Sequence, residues 1–345
     1  MKKLFAILFL LVLSFTVKAA TVNVTEFGAI PNDNGDDTQA VRNAVSRLVD
    51  SGGGTLVFPA GTTDINGEIP FINYGNYQTY RLVGDGGAFI RLNGDGKTDY
   101  FKFGNVNQAE VDGLIFYAPA EQIINAQTVI QSGYTSQTRI TNCSFFGIGA
   151  ETAVIDAHNT DLIVEKSLFE GTSARLGVIR SKTSRGITVK NTSFVDYAHF
   201  LNMYLTKVPH LLPGSWIKIE NEDQAFGANG QRIARIQDCR FDEGALRAID
   251  ISNHKAVEIS GISVNVNGID DGIGVMLDNV EFAEVKFSAF GYSQAARPAI
   301  SLKNRSFLEA TSLQLVEAVY FLKRDKSSSF TVKACAKCVL LNGLK

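Results

Sequence analysis

The feature that most constrains the fold is a short motif that returns along the second half of the chain. It consists of a branched apolar residue, a few polar residues, a small residue and a final aromatic or aliphatic residue. The final residues are 23 to 26 positions apart, with one step of 47, and fall at Phe145, Leu168, Phe194, Phe241, Val264, Phe287 and Leu313. We interpret the long step as two turns of about 23 or 24 residues, and a period of this size predicts a solenoid.

Each repeat is built from strand-like segments. Short runs rich in Ile, Val and Phe are broken by Gly, Asn, Asp and Ser, and helical periodicity is nearly absent after residue 50. The regular leucine spacing of a leucine-rich repeat is missing. Three short strands and three turns fit each repeat, so we predict an all-β chain folded as a parallel β-helix. Residues 20–345 are expected to form this single domain.

A short helix is predicted to cover the N-terminal end of the solenoid, because an open end must be capped. Asp36, Asp37 and Thr38 are good residues to begin a helix, and Gly52 to Gly54 are suited to end it. Between them one apolar face is formed by Ala40, Val41, Ala44, Val45, Leu48 and Val49. The N-terminal cap is predicted to extend over about residues 20–60.

The same N-terminal segment resembles the opening signature of the pectate-lyase-like superfamily. The resemblance rests on Phe27-Gly28-Ala29, Asp36-Asp37-Thr38, Ala40, Ala44, Gly52-Gly53-Gly54-Thr55, Phe58-Pro59 and Gly61. Thr62 departs from it, since the family often has an aromatic residue there. The resemblance implies a right-handed parallel β-helix. The superfamily contains polysaccharide lyases, glycoside hydrolases, epimerase-related proteins and phage tailspikes, so the likeness specifies the fold and leaves the chemistry open.

Residues 1–19 have the pattern of a secretory signal peptide. Lys2 and Lys3 precede an apolar stretch from Phe5 to Phe15, and Val17-Lys18-Ala19 has the pattern of a cleavage site. We therefore expect a secreted or periplasmic protein, with no later segment apolar enough to span a membrane. The sequence has 33 basic and 35 acidic residues. The charged residues of the signal segment are all lysines, so its removal makes the net charge of the protein more negative. This acidic balance argues against nucleic acid as the main partner.

The four cysteines are predicted to form at most one disulfide. By the repeat, Cys143 and Cys239 lie about four turns or roughly 19 Å apart, which exceeds disulfide reach. Cys335 and Cys338 form a CxxC that could close the C-terminal end. Both are equally well explained as small buried apolar residues.

One strand of each repeat is predicted to display a polar face, because apolar and polar residues alternate after each motif. Inward pairs such as Ile155 and Ala157 alternate with outward residues. Stacking places the outward residues in two columns. The first is Asp156, Arg180, Asn202, Lys218 and Asp250, and the second is His158, Lys182, Tyr204, Glu220 and Ser252. The placement of Lys218 and Glu220 depends on the long interval holding plain turns, whereas Pro209, Pro213 and Gly214 indicate a loop there.

These columns suit a lyase that cleaves a uronic-acid polymer by β-elimination. Arg180 and Asn202 could hold the substrate carboxylate through charge-assisted hydrogen bonds. Lys182 could take the proton and Tyr204 return one to the leaving oxygen, with His158 as an alternative base. Some β-helix alginate lyases use a Lys and a Tyr on adjacent turns, and this arrangement is similar to theirs. The other predicted substrate-binding residues are Asp156, Lys218, Glu220 and Asp250.

Two other functions remain open. A glycoside hydrolase needs two carboxylates about 5 to 10 Å apart, and Asp156, Glu220, Asp250 and Asp278 are candidates. A non-catalytic rod that binds carbohydrate also fits, because solvent-facing strand positions are polar in any protein. No cofactor is required by any of these functions. Calcium is compatible with the lyase function, since several lyases of this architecture use it, although the sequence has no compact acidic loop.

Overall fold

A computed structural model shows that the chain is an almost continuous stack of parallel strands. It describes residues 19–72, 78–119, 124–182, 186–195, 214–221, 233–242, 247–265, 273–291, 297–316 and 319–336. Within them lie a 3₁₀ turn at Val24–Phe27, one α-helix, α1 (Thr38–Asp50), and 28 strands, β1 to β28. The strands form three ladders, here called sheets A, B and C.

Sheet A contains the first strand of each turn. It stacks β1 (Ala20–Asn23), β2 (Gly54–Phe58), the first parts of β5 (Thr79–Leu92) and β7 (Gln108–Tyr117), β9 (Gln137–Thr141), β12 (Asp161–Glu165), β16 (Gly186–Lys190), β19 (Ile233–Gln237), the last parts of β21 (Arg247–Ser260) and β23 (Ile273–Lys286), and the first parts of β26 (Phe307–Val316) and β28 (Ser329–Ala336).

Sheet B follows after a turn. It stacks β3 (Gly61–Ile65), the last parts of β5 and β7, β10 (Ser144–Phe146), β13 (Leu168–Glu170), β17 (Ser193–Val195), β20 (Arg240–Asp242), β22 (Ser263–Asn265), β24 (Ala289–Gly291) and the last parts of β26 and β28.

Sheet C closes each turn and carries the predicted site. It stacks β4 (Ile69–Ile72), β6 (Asp99–Gly104), β8 (Ala126–Gly133), β11 (Gly149–His158), β15 (Gly177–Lys182), β18 (Ser215–Glu220), the first parts of β21 and β23, β25 (Arg297–Lys303) and β27 (Val319–Arg324). The two-residue β14 (Ser173–Ala174) pairs with the start of β11.

A stack of phenylalanine rings runs through the core behind sheet B. Phe145, Phe169, Phe194 and Phe241 are fully buried, and neighbouring rings are nearly parallel with centroids 4.6 to 5.0 Å apart. Three predicted repeat markers, Leu168, Phe287 and Leu313, were therefore wrong, and for the last of them Leu315 takes the place opposite Phe290. Phe169, not Leu168, pairs with Phe145. Phe290, not Phe287, pairs with Val264, whereas Phe287 is 68% exposed at a turn with φ 47°.

The interpretation of the 47-residue step as two turns was also wrong. Phe194 pairs directly with Phe241 in sheet B, and Val189 pairs directly with Ile236 in sheet A. The step is therefore one turn with extra chain inserted on either side of β18. Pro209 and Pro213, which indicated a loop, lie in this extra length and outside the described residues.

The helix α1 covers the N-terminal end, as predicted. Its buried face carries Val41, Ala44, Val45 and Leu48. Asp37, just before the helix, ties it to the first turns because its carboxylate accepts hydrogen bonds from the backbone N–H groups of Ile30 at 2.9 Å and Asp64 at 3.1 Å. Burial outweighs these bonds and raises the pKa of Asp37 above its usual value.

The cysteines follow the prediction in part. Cys143 and Cys239 are free buried thiols, and burial raises the pKa of each to about 12. Cys143 immediately precedes β10 and Cys239 immediately precedes β20, and these strands are three steps, or about 14 Å, apart in sheet B. The predicted separation of four turns was one turn too long. Cys335 is disulfide-bonded, and Cys338 lies outside the described residues.

Candidate functional site

Sheet C presents two columns of outward side chains with the predicted register. Ile155 pairs with Ile179 and Ala157 with Ser181, and all four are buried. The first column is Asp156, Arg180, Lys218 and Asp250, and the second is His158, Lys182, Glu220 and Ser252. Every predicted site residue that the structure describes therefore lies on β11, β15, β18 or β21, which are neighbours.

One predicted turn is missing from these columns. Arg180 pairs directly with Lys218, and Lys182 pairs directly with Glu220, so no strand separates β15 from β18. The prediction of an intervening turn carrying Asn202 and Tyr204 is wrong because the long interval holds an insertion. Asn202 and Tyr204 themselves lie outside the described residues. The assignment of Lys218 and Glu220 to the columns is confirmed.

Asp156 and His158 form the most defined pair on this face. Both lie on β11 and point outward because the strand places alternate side chains on the same side. The Nε2 atom of His158 lies 2.9 Å from Oδ2 of Asp156. The side chain of Asp156 is 4% exposed and that of His158 is 32% exposed. A buried carboxylate thus fixes the orientation of a ring that solvent, or a ligand, can reach.

The second carboxylate oxygen of Asp156 is buried and has no hydrogen-bond partner among the residues described. The nearest cation is Arg180, whose Nη1 lies 3.7 Å from this oxygen. At this distance the guanidinium and the carboxylate form an ion pair but no hydrogen bond. Buried polar atoms are nearly always satisfied, so this oxygen is available to a ligand or a bound water.

Arg180 connects Asp156 to Glu220 across two strands. Its Nε and Nη2 atoms both donate to Oε2 of Glu220 at 3.2 Å, while Oε1 of Glu220 accepts from Lys218. Burial by itself would raise the pKa of Glu220, but Lys218 and Arg180 outweigh it and lower the pKa below its usual value. Glu220 is therefore ionised and holds the guanidinium in place.

The other predicted carboxylates lie farther along the columns. Asp250 is 8% exposed and accepts a hydrogen bond from Arg247 on its own strand. It stands three strand steps from Asp156, about 14 Å, which is too far for a hydrolase pair. Asp278 lies one strand beyond Ser252 and accepts from Nδ2 of Asn304 at 2.6 Å. Neither carboxylate joins Asp156 in one site.

A carboxylate that the sequence analysis missed lies two strands before Asp156 in sheet C. Asp99, at the start of β6, is half-buried and interacts electrostatically with Asp156 and Glu68. Burial and then these two like charges raise the pKa of Asp99, although a hydrogen bond with Thr128 and the charge of Lys102 act in the opposite direction. Its Oδ1 is buried without a hydrogen-bond partner in the described part of the chain. The repeat was traced only from residue 140, so the sequence pattern did not reach this strand.

Two further properties bear on the predicted partners. Among the described residues, no three or more His, Cys, Asp or Glu side chains are arranged to hold a metal ion. No helix in the described ranges is long and apolar enough to cross a membrane. The arrangement on sheet C consists of a histidine, a guanidinium and two lysines among carboxylates.

Comparison with solved structures identifies the fold. The chain superposes on the Streptococcus pneumoniae surface protein and adhesin PfbA with a TM-score of 0.54 and 12% identity, over 92% of this chain and 99% of that one. The Agl-KA catalytic domain gives 0.52 and 13%, over 92% of this chain and 69% of that one. The chain has the parallel β-helix fold of these proteins. A tailspike of the Escherichia coli bacteriophage HK620, solved with a hexasaccharide, gives 0.53 and 12%, over 91% and 65%.

The parallel β-helix fold predicted from the sequence is thereby confirmed. The superpositions establish a shared fold, and at 12 to 13% identity they carry no statement about chemistry. No family model and no curated protein sequence matches the chain. The function must therefore be inferred from the side chains on sheet C.

Proposed function

We propose that the protein is an exported enzyme that cleaves an acidic, alginate-like polysaccharide by β-elimination on sheet C. The observation that carries the proposal is the hydrogen bond of 2.9 Å between His158 and the buried Asp156, with Arg180 and Lys182 on the next strand. A histidine whose orientation is fixed by a buried carboxylate is a recurrent design for a general base. The polar columns provide room for a chain laid along the solenoid.

The reaction needs three functions, and the described residues can supply each of them. His158 takes the proton next to the substrate carboxylate. Arg180, with its side chain 13% exposed, neutralises that carboxylate by charge-assisted hydrogen bonds. Lys182 is the ladder partner of His158 at about 4.8 Å between strands, and we assign to it the return of a proton to the leaving oxygen. Tyr204 remains a second candidate for that proton.

The lysine assigned as the base in the sequence analysis thus changes role. His158 is favoured as the base because its ring is positioned by Asp156, whereas Lys182 faces Glu220 on one side and His158 on the other. The ammonium of Lys182 is a proton donor on the strand next to that of His158, which places it on the side of the leaving oxygen in this assignment. Lys218, Glu220 and Asp250 extend the binding surface along the first and second columns.

Hydrolysis is the second candidate, and Asp99 is the observation that favours it. Asp99 and Asp156 are two carboxylates with buried oxygens that lack hydrogen-bond partners among the described residues. The pKa of Asp99 is raised, mainly by burial and also by Asp156. Two carboxylates in unequal environments are what a glycoside hydrolase uses as acid and base. Hydrolysis ranks second because the register separates Asp99 from Asp156 by two strand steps, about 10 Å, and by three residues along the strand.

The proposal is tested by incubating the purified protein with alginate, pectate and other uronate polymers. Elimination creates a double bond conjugated with the carboxylate, so absorbance of the unsaturated product should rise with at least one polymer. New reducing ends without that absorbance would replace elimination by hydrolysis. No product from any polymer, with or without added calcium, would leave only the carbohydrate-binding function, which predicts affinity without turnover.

A further inference from the structure

A second polar pocket lies on the same side of the solenoid, beyond the site described above. It has a volume of about 490 Å³, and its lining includes Ser252, Asp278, Asn304, Arg305 and Ser327. Ser252 is the direct ladder partner of Glu220, so the pocket begins one strand beyond the proposed reaction site. A volume of this size is typical of small-ligand sites.

Arg305 is the feature of the pocket that points to a ligand. It is exposed, and within the described part of the chain its guanidinium has no hydrogen-bond or ion-pair partner. Asp278, the acidic residue in the lining, already accepts from Nδ2 of Asn304 at 2.6 Å. Lys303 is the ladder partner of Asp278, and Lys323 lies on the next strand, β27. Together with Arg305 these lysines outnumber the two carboxylates nearby, those of Asp278 and Asp325, so positive charge exceeds negative charge there.

The backbone of Arg305 supports the same conclusion. Asn304 and Arg305 have φ values of 52° and 65°, two successive residues in the left-handed region. Asn adopts this conformation readily and Arg does not, so an arginine here costs stability. The turn is held by its neighbours, because Asp325 accepts from the backbone N–H of Asn304 at 2.7 Å and Ser327 from that of Arg305 at 3.0 Å. Strain retained at a ligand-facing residue is typical of functional positions.

We infer that this pocket is a distal subsite that binds an anionic sugar residue, with the sugar carboxylate on Arg305 and its hydroxyl groups on Asp278, Asn304 and Ser327. The inference rests on the proposed function in one respect, namely that the polymer runs along sheet C. Arg305 follows β25, which is five strand steps from β11, or about 24 Å. The subsite therefore engages long chains and leaves short ones unaffected.

The test is the affinity of Arg305→Asn and Arg305→Lys for a hexameric oligouronate prepared from alginate, measured by calorimetry. The measurements are made in a His158→Ala background so that turnover does not consume the ligand. Asn suits the left-handed backbone, so Arg305→Asn should unfold at no lower temperature than the parent while binding the hexamer about tenfold more weakly. Arg305→Lys keeps the charge and should bind with intermediate affinity. A dimer of the same sugar should bind equally well to all three.

Arg235→Asn is the control, because Arg235 is a half-buried arginine on sheet A paired with Glu258 at 2.9 Å, away from the pocket. It should leave hexamer affinity unchanged. The subsite is overturned if Arg305→Asn binds the hexamer as the parent does, or if it loses affinity equally for a neutral glucan hexamer. The outcome is separable from that of the proposed function. Arg305-dependent binding without cleavage of any polymer would keep the subsite and refute elimination, and cleavage with Arg305-independent affinity would do the reverse.

Discussion

The Nε2 atom of His158 lies 2.9 Å from Oδ2 of Asp156, on one strand and on the outward face of sheet C. Residues two apart on a strand share a face, so the backbone itself brings the two side chains together. Asp156 is buried between its neighbours, whereas about a third of the His158 side chain, 32%, is exposed. This combination of a fixed carboxylate and an accessible imidazole is what the proposed elimination requires.

Removing either member of this pair should reduce turnover strongly. We expect His158→Ala to lower kcat by about 10²- to 10⁴-fold, because a general base of this kind contributes that much. Asp156→Asn should lower kcat by a comparable factor, since the amide can hold the ring in the wrong tautomer. Steady-state rates on the best polymer measure both. An Arg235→Ala variant, altered on sheet A, serves as control, and a His158→Ala enzyme with normal kcat would contradict the proposed base.

Glu220 should stabilise the fold in a pH-dependent way. Its folded pKa is lowered because Lys218 and Arg180 outweigh the effect of burial, so its contribution is complete above the ordinary value of 4.5 and is lost as the pH falls through the folded pKa. Glu220→Gln leaves two cations without their partner and should cost about 1 to 2 kcal/mol at pH 7. Denaturant unfolding at pH 7 and pH 3 measures the difference. A cost that is equal at both pH values would show that the charge is not involved.

The contribution of Asp99 to folding stability should have the opposite pH dependence to that of Glu220. Its folded pKa is raised, chiefly by burial, so stability falls as the pH rises from the ordinary value of 3.8 through the folded pKa. Asp99→Asn should therefore unfold at a higher temperature at pH 7, and the gain should vanish below about pH 4.

For elimination, Asp99→Asn should leave kcat nearly unchanged, because no step assigned above uses Asp99. A loss of about 10²-fold or more would indicate that Asp99 acts as a general acid, as hydrolysis requires. Thermal unfolding of the variant, measured alongside its rate, separates a chemical effect from loss of folded protein.

The phenylalanine stack should make the centre of the solenoid sensitive to truncation. Phe169 is fully buried between Phe145 and Phe194, with ring centroids 4.6 and 5.0 Å away. Phe169→Ala should cost about 3 to 5 kcal/mol, and Phe169→Leu considerably less. Each turn contacts only its neighbours, so hydrogen exchange should accelerate most in β10, β13 and β17. Uniform acceleration along the whole chain would contradict this local effect.

Much of the fold could be predicted from the sequence because its determinants are local. Alternation around Ile155 and Ala157 fixes which side chains face outward, and the stacking of equivalent positions then follows. The repeat markers failed where two apolar residues are adjacent, as at Leu168 and Phe169, since either could point inward. The prediction of Phe287 as a marker was wrong for a different reason, because its left-handed φ of 47° places it at a turn.

The candidate site was less accessible to sequence reasoning. The 47-residue interval equals two ordinary turns in length, so periodicity alone could not reveal that Arg180 and Lys218 are direct neighbours. Asp99 lies on a strand before the region where the repeat is clear, and its electrostatic interaction with Asp156 arises from stacking of segments that are distant in sequence. The hydrogen bond between His158 and Asp156 depends on rotamers, which no sequence pattern specifies.

The central claim is that sheet C cleaves an acidic polysaccharide by elimination and not by hydrolysis. Mass spectrometry of the products formed in heavy-oxygen water tests it most directly. Elimination adds no water, so the predicted products have an unsaturated non-reducing end, lighter by one water than a saturated oligomer, and contain no heavy oxygen from the cleavage itself in rapidly quenched samples. Products of full mass that carry one heavy oxygen atom at the new chain end would contradict the account and identify a hydrolase.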